Sequence, residues 1–407
     1  MRVVLSTYGS RGDVEPVVGL AVRLRALGVE VRVCAPPDFS GRLAEVGVPM
    51  VPVGQSASAL TRAAPAPSSL PQRAAELIAR QFAAVTEAAE GCDVMVATGM
   101  VPAVAGARSV AEGLGIPAVS VTFQQLTLPS PRHRPLAYPG RPFPPGVTDN
   151  RVLWELDAQS IDALFGAALN TSRAAVGLPP VDGVRDYVIG DRPWLATDPV
   201  LDPWLPTPDL DVVQTGAWTV PDTRPLPAEL VAFLDAGPPP VYVGFGSMPL
   251  HAQDDIGQVA MEAVRAHGRR AVVSRGWGGL ALVDDRDDCL AVGEVNHQAL
   301  FSRVAAVVHH GGAGTTTAAA TAGAPQVVVP QATDQPYWAG RVVDLGIGAA
   351  HDGPTPTAES LSAALGAALE PGTRARASAV AGTVRTDGAA VAAALLVDAV
   401  GWERPSA

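Results

Sequence analysis

Twice along the 407 residues, a β-branched run ends in a glycine loop and passes into a helical stretch. The first instance is "RVVLSTYGSRGDVEP", starting at Arg2; the second is "PVYVGFGS" at 240–247. Strands that alternate with helices in this way form parallel sheets covered on both faces. Val3–Thr7 and Val31–Ala35 read as strands. Between them Val17, Leu20, Leu24 and Leu27 keep helical spacing from Pro16, and Gly28 is the stop. "RLAEVG" reads as the next helix, and "DVMVAT" (93–98) and "PAVSVTF" (117–123) as further strands. After the second glycine loop the rhythm returns in "RAVVSRG" (270–276), "CLAVG" (289–293), "VAAVVHH" (304–310) and "PQVVVP" (325–330).

The expected fold class is α/β, with two Rossmann-like doubly wound domains facing each other across a cleft. The expected boundaries are 1–215 for the first domain and 216–239 for a Pro-rich linker with one short helix. The second domain spans 240–388, and a C-terminal helix and tail 389–407. Two stretches break the rhythm: 59–72, and 124–150 with its seven prolines. Long irregular loops in an α/β domain are uncommon and often functional; a plain surface insertion is the alternative.

Net charge is −11, which argues against a nucleic-acid backbone or an anionic membrane as partner. An anionic small ligand then needs a locally dipolar site. All 29 basic residues are Arg. Schiff-base chemistry and a Walker-type lysine are thereby excluded. Cys34, Cys92 and Cys289 are scattered and lack CxxC spacing, so reduced, inert thiols in a cytoplasmic protein are expected and a metal site is not. The start has no secretory pattern, and the apolar run 389–397 is shorter than the ~20 residues that cross a bilayer.

"VVHHGGAGTT" carries the strongest chemical signal. A strand runs into His309 and His310, and glycines then lead into a helix. Gly312 and Gly314 let backbone approach a ligand. Free N–H groups at the helix start suit an anion, phosphate above all. His310 adds an N–H and Thr315 a hydroxyl; a tight turn with buried histidines is the alternative. Ser247, in "GFGSM", is placed to donate to the same anion. Asp334 and Gln335 form a carboxylate–amide pair suited to vicinal hydroxyls of a sugar, unless Asp334 only caps the helix that follows. In "GEVNHQALF", Asn296 reads as a cap and Leu300 and Phe301 as core.

The turn "GSRGDVEP" looks like a phosphate loop spoiled by Asp13 and Glu15. At a helix N-terminus Asp13 stays ionised and able to accept a proton, or it simply N-caps the helix. "DLD" (209–211) and "VDDRDD" (283–288) read as solvated acidic turns, and "RGD" carries no function here.

Taken together, "GSRGDVEP", "CAPPDF", "RLAEVGVPMVPVG", "VQTGAW", "LDAGPPPVYVGFGS", "GEVNHQ", "RVAAVVHHGGAGTT", "DQPY" and "RTDGAA" resemble the glycopeptide-antibiotic glycosyltransferases, and the resemblance spans nearly the whole chain. It implies the two-domain GT-B fold and inverting transfer of a hexose from a UDP- or TDP-sugar. The acceptor implied is a hydroxyl of a heptapeptide aglycone or pseudoaglycone. No site metal and no cofactor besides the nucleotide sugar is implied. By the resemblance Asp13 is the general base, and Ser10 and Arg11 are neighbours of the diphosphate. Ser247, His310, Gly312, Gly314 and Thr315 form the diphosphate site; Val295 lies in the turn that meets the nucleobase; Asp334 and Gln335 meet the donor sugar. The last pair favours glucose or N-acetylglucosamine. A deoxy or amino sugar such as a vancosamine, or a macrolide or polyketide acceptor, is the alternative. The loops 55–75 and 124–150 are expected to face the aglycone.

Overall fold

The computed structural model describes residues 1–63, 66, 69–246, 256–276 and 286–401. Ser247, residues 283–285 of the acidic turn, and the tail beyond 401 lie outside the described residues. The chain groups into two compact units. One comprises Met1–Asp198, Pro203–Val220 and the chain from Thr386; the other comprises Pro199–Asp202 and Pro221–Arg385.

The first unit is built on seven strands: β1 (Arg2–Tyr8), β2 (Glu30–Ala35), β3 (Met50–Pro52), β4 (Val94–Gly99), β5 (Ala118–Thr122), β6 (Trp194–Leu195) and β7 (Val213–Gln214). They lie in the order β3-β2-β1-β4-β5-β6-β7 with every pairing parallel. The second unit holds β8 (Val241–Gly244), β9 (Ala271–Ser274), β10 (Cys289–Val292), β11 (Ala306–His309), β12 (Gln326–Val328) and β13 (Gly348–Ala350). Their order is β10-β9-β8-β11-β12-β13, again wholly parallel. Val3, Val4 and Leu5 in one sheet and Val241, Tyr242 and Val243 in the other are buried in succession, as strands covered on both faces require. Leu20 and Leu24 of the helix Arg11–Ala26 are fully buried, and truncating such a leucine to alanine costs about 2–5 kcal/mol.

Strand order reverses between β1 and β4 in the first unit and between β8 and β11 in the second. Open α/β sheets receive ligands beyond the carboxyl ends of the strands at such a point. The turn at 9–13 follows β1 and the turn at 310–312 follows β11, so each unit's candidate turn stands at its own reversal.

Several expectations need correction. The first helix begins at Arg11, not Pro16, with Ser10 as its N-cap. Pro16 removes only the ladder bond to the Gly12 carbonyl, a loss the buried face of the helix outweighs. The stretch 216–239 is no free linker. Ala217 and Trp218 are buried, and Leu230 and Leu234 of the helix Ala228–Asp235 enter the second unit's core. The final helix, Gly388–Ala399, belongs to the first unit, where the Gly388 backbone packs on that of Gly216. Within 59–72 the described residues include the end of a helix, Ala57–Ala63, and the start of another, Leu70–Ala89. The 124–150 loop is pinned: Trp154 Nε1 donates to the carbonyls of Ser130 and His133, both at 3.0 Å.

Candidate functional site

The turn after β1 is organised around Asp13. Asp13 is the third residue of the helix, and its Oδ2 accepts the Ser10 N–H at 2.8 Å. The Ser10 hydroxyl accepts the Gly12 N–H at 3.3 Å and also the Asp13 N–H, which with the carboxylate bond makes a capping box. A Cβ on Gly9 would stand 2.0 Å from Asp13 Oδ2, so only glycine lets this carboxylate lie against the strand end. Asp13 is therefore not the N-cap; Ser10 is. Arg11 Nη2 reaches Glu15 at 3.4 Å, and Glu15 is also held by Arg42 Nε at 3.0 Å.

The turn after β11 differs. His309 is fully buried: its Nδ1 accepts the Gly311 N–H at 3.1 Å, so its Nε2 carries the proton and donates to Gln326 Oε1 at 2.9 Å. Burial, with His310 adjacent, pushes its pKa down to about 3. This histidine fixes the loop. His310 is also kept neutral, its pKa pushed down to about 4 by burial. Its Nδ1 is buried with no hydrogen-bond partner among the described residues. The ring lies between two glycines: a Cβ on Gly246 would be 2.9 Å from its Cε1, and one on Gly312 would be 2.6 Å from its Nε2. The helix Ala313–Thr321 starts directly after, with Gly312 as N-cap and no side-chain cap. Among the described residues no side chain caps the first N–H groups of this helix, those of Ala313, Gly314 and Thr315. Gly314 is exposed, and a Cβ there would meet nothing within 4 Å among the described residues. The structure brings His310, Gly312, Gly314 and Thr315 together in one turn at the helix start. The expected contribution of Ser247 lies outside the described residues.

Asp334 precedes the helix Gln335–Asp344 but does not cap it with its side chain. Its Oδ2 accepts from Trp338 Nε1 at 2.8 Å and its Oδ1 from the Thr333 hydroxyl at 3.0 Å. Burial raises its carboxyl pKa above the usual range. Thr333 holds φ +55°, a left-handed backbone that a β-branched residue adopts only under constraint. Gln335 is buried, and its Oε1 accepts the N–H groups of Gln331 (2.7 Å) and Ala332 (3.1 Å). Its amide oxygen is therefore a clasp for the loop. The Val295 side chain is buried in the core beside Phe301, which leaves only backbone to meet a base there. Asn296 caps the helix His297–Leu300 through the Ala299 N–H at 3.0 Å.

The sequence reading missed Gly9, Gly246 and Gln326. Gly9 follows β1 directly and Gly246 stands two residues past the end of β8, which is the available signal; the glutamine gives none, since it opens an otherwise apolar strand. The decoys behave as surface. Asp209 and Asp211 are exposed and pair with Arg151 and Arg192, and Asp288 pairs with Arg265 at 2.8 Å. Cys34, Cys92 and Cys289 are free thiols, and burial pushes the Cys34 pKa up to about 12. Among the described residues, no group of three or more His, Cys, Asp or Glu side chains is placed to hold a metal, and no helix is long and apolar enough to cross a membrane.

Residues 3–128 match the family model of the glycosyltransferase family 28 N-terminal domain. Residues 280–393 match that of the erythromycin biosynthesis protein CIII-like C-terminal domain. The chain is 60% identical over 413 residues to glycosyltransferase GtfE of Amycolatopsis orientalis, covering 100% of this chain and 99% of that one. It is 58% identical over 408 residues to the vancomycin aglycone glucosyltransferase of the same organism, with 100% and 99% covered. It is 52% identical over 414 residues to that organism's dTDP-epi-vancosaminyltransferase, again covering 100% and 99%. Among solved structures, the glycosyltransferase VinC in complex with dTDP superposes with a TM-score of 0.69 at 22% identity, covering 98% of this chain and 100% of that one. The kitacinnamycin glycosyltransferase gives 0.72 at 22%, covering 98% of each; at such identity the likeness speaks for the GT-B fold. Identity above half over the full length is decisive for kinship: this chain is a glycosyltransferase and belongs to the vancomycin-type glycopeptide glycosyltransferase family.

Proposed function

We propose that the chain transfers a hexose from a UDP- or TDP-sugar to a hydroxyl of a glycopeptide aglycone or pseudoaglycone, with inversion at the anomeric carbon and without a site metal. The observation that supports this reading is the second unit's turn, where, among the described residues, a buried His310 nitrogen has no hydrogen-bond partner and the helix N-terminus has no side-chain cap. A diphosphate leaving group supplies an anion for this turn, and preorganised donors of this kind stabilise its developing charge. The Thr315 hydroxyl adds a donor. The Ser10 hydroxyl hydrogen and Arg11 complete the diphosphate's neighbours, and Ser247 is assigned with them. Asp334, with Gln335 behind it holding the loop, takes hydroxyls of the donor sugar, and the backbone around Val295 takes the base.

Asp13 takes the acceptor hydroxyl's proton as its oxygen attacks the anomeric carbon and the bond to the diphosphate breaks. Glucose is the first donor to try, since the 58% relative is named a glucosyltransferase. A deoxy amino sugar is the second reading, supported by the 52% vancosaminyltransferase relative. The test is a mass-shift screen of UDP-glucose, TDP-glucose and a TDP-vancosamine against aglycone and pseudoaglycone. Proton coupling at the new anomeric centre reads inversion, and turnover in EDTA reads metal independence. No mass shift with any pair would overturn the acceptor assignment.

A further inference from the structure

Asp38 has no part in the roles assigned so far, yet it is tied to one short segment by four hydrogen bonds. It sits in the turn Pro37–Phe39, beyond the end of β2. Its Oδ1 accepts the hydroxyls of Ser56 and Ser58, both at 2.7 Å, and the Ser58 N–H at 3.2 Å. Its Oδ2 accepts the Ala57 N–H at 2.7 Å. Ala57 opens the helix Ala57–Ala63, and the Ser56 hydroxyl also accepts the Ala59 N–H at 3.1 Å. A borrowed carboxylate, 18 residues upstream of Ser56, therefore caps this helix. Partial burial opposes ionisation of Asp38, but these bonds hold its pKa below the usual carboxylate range.

The other fastening is Tyr8, the last residue of β1. Its hydroxyl donates to the Gln55 carbonyl at 3.0 Å and accepts the Gln55 N–H at 3.3 Å. Its ring lies so close to Gly54 that a Cβ there would stand 2.4 Å from Cε2, and Leu60 of the helix packs against the cluster that Tyr8 forms with Leu77 and Ala103. The next residue is Gly9, against which the Asp13 carboxylate rests. The segment 54–60 and Asp13 thus hang on two consecutive residues at the carboxyl end of β1, the edge where a ligand of an open α/β sheet is received.

We propose that Asp38 is a positioning residue for the acceptor: by clamping the helix Ala57–Ala63 beside the strand end that carries Asp13, it fixes the wall against which the acceptor hydroxyl is presented. This rests on Asp13 being the acceptor-side base. The sequence supplies the clamp in two pieces, "PPDF" and "QSAS", too far apart to read as one motif.

Steady-state kinetics of Asp38→Ala and of Ser56→Ala/Ser58→Ala, with donor and acceptor varied separately, test the proposal. The expected result for Asp38→Ala is an acceptor KM raised about 10- to 100-fold, as for loss of hydrogen bonds to a charged group, with donor KM unchanged. The double serine variant shifts acceptor KM in the same direction, by less, and reads the clamp if Asp38→Ala fails to fold. Hydrogen exchange adds a measure independent of any substrate: the amides of 57–60 should exchange at least about tenfold faster in both variants while those of β1 do not. Acceptor and donor KM rising together, or an unmoved acceptor KM, overturns the proposal, as does unchanged exchange at 57–60. A wild-type enzyme that glycosylates no glycopeptide acceptor strikes the acceptor assigned above instead, and the exchange measurement then decides the clamp.

Discussion

The turn after β1 and the turn after β11 both run strand, glycine, helix, yet they treat the helix N-terminus in opposite ways. In the first, the Ser10 hydroxyl takes the Gly12 N–H and the Asp13 carboxylate takes the Ser10 N–H. The positive end of the helix is satisfied by the chain's own acid. In the second, Gly312 stands at the N-cap, no side chain among the described residues caps the helix, and the adjacent His310 is kept neutral by burial. One local motif therefore yields two arrangements, a held carboxylate and a helix start without a side-chain cap, the one proposed above to receive an anion. The presence or absence of an internal cap decides which.

The largest expected effect lies on the carboxylate side. Asp13→Ala should lower kcat by about 10²–10⁴-fold on an alcohol acceptor, the usual worth of a general base. A phenolic acceptor, with pKa near 10, should lose less. Turnover of an alcohol acceptor unchanged in this variant would break the assignment. Next comes His310→Ala, which removes one donor from the anion receiver. A loss of about 10²–10³-fold in kcat is expected, as for an oxyanion donor, with acceptor KM little moved.

Acid should separate the two turns as well. His309 and His310 are held neutral, at about 3 and about 4, by burial. In the unfolded chain they titrate near 6.5. Between those values the unfolded state binds more protons, so stability is full above about pH 6.5 and falls as pH drops toward 4. The slope is at most about 1.4 kcal/mol per pH unit for each group. Urea midpoints of wild type and His310→Ala between pH 4 and 7 measure this, and the variant should show the shallower slope. A smaller and sharper test is Gly314→Asp, which places a carboxylate in the first turn of this helix, where no described residue obstructs a side chain. It should stabilise the helix by about 0.3–1 kcal/mol and weaken nucleotide-sugar binding, converting the second turn toward the first. Unchanged donor affinity would mean that the anion does not sit there.

Much of this contrast is legible in residue types. The runs ending at Tyr8, Gly244 and His309 are β-branched enough to be read as strands, and the absence of an acid in "HHGGAGTT" sets it apart from "GSRGDVEP" as the turn proposed to receive the anion. Other features leave no local trace. β6 and β7 have two residues each and β13 three, so no period exists to be seen. The helix Leu70–Ala89 follows a proline-rich stretch that masks its start. Pro16 suggested a first helical position, because the capping box that starts the helix five residues earlier depends on Gly9 making room for Asp13. The pairing of Gly246 with His310 joins residues 64 apart, and only the sheet brings them together.

The smallest expected effect falls on Ser10, where the two readings of the first turn meet. Its hydroxyl accepts from Gly12 as the N-cap, yet retains a hydrogen that can be donated to a diphosphate oxygen. Ser10→Ala loses the cap, worth about 1 kcal/mol of stability by denaturant titration. The Asp13 carboxylate keeps its bond from the Ser10 backbone N–H, which the substitution does not touch, so kcat should hold within about twofold. Donor KM should rise by no more than about tenfold, the worth of one neutral hydrogen bond. A kcat loss comparable to that of His310→Ala would make the first turn an anion receiver equal to the second, and the contrast drawn from their caps would fail. An unmoved donor KM with the stability loss intact would sharpen it, leaving Ser10 as a cap alone and the diphosphate to the second unit.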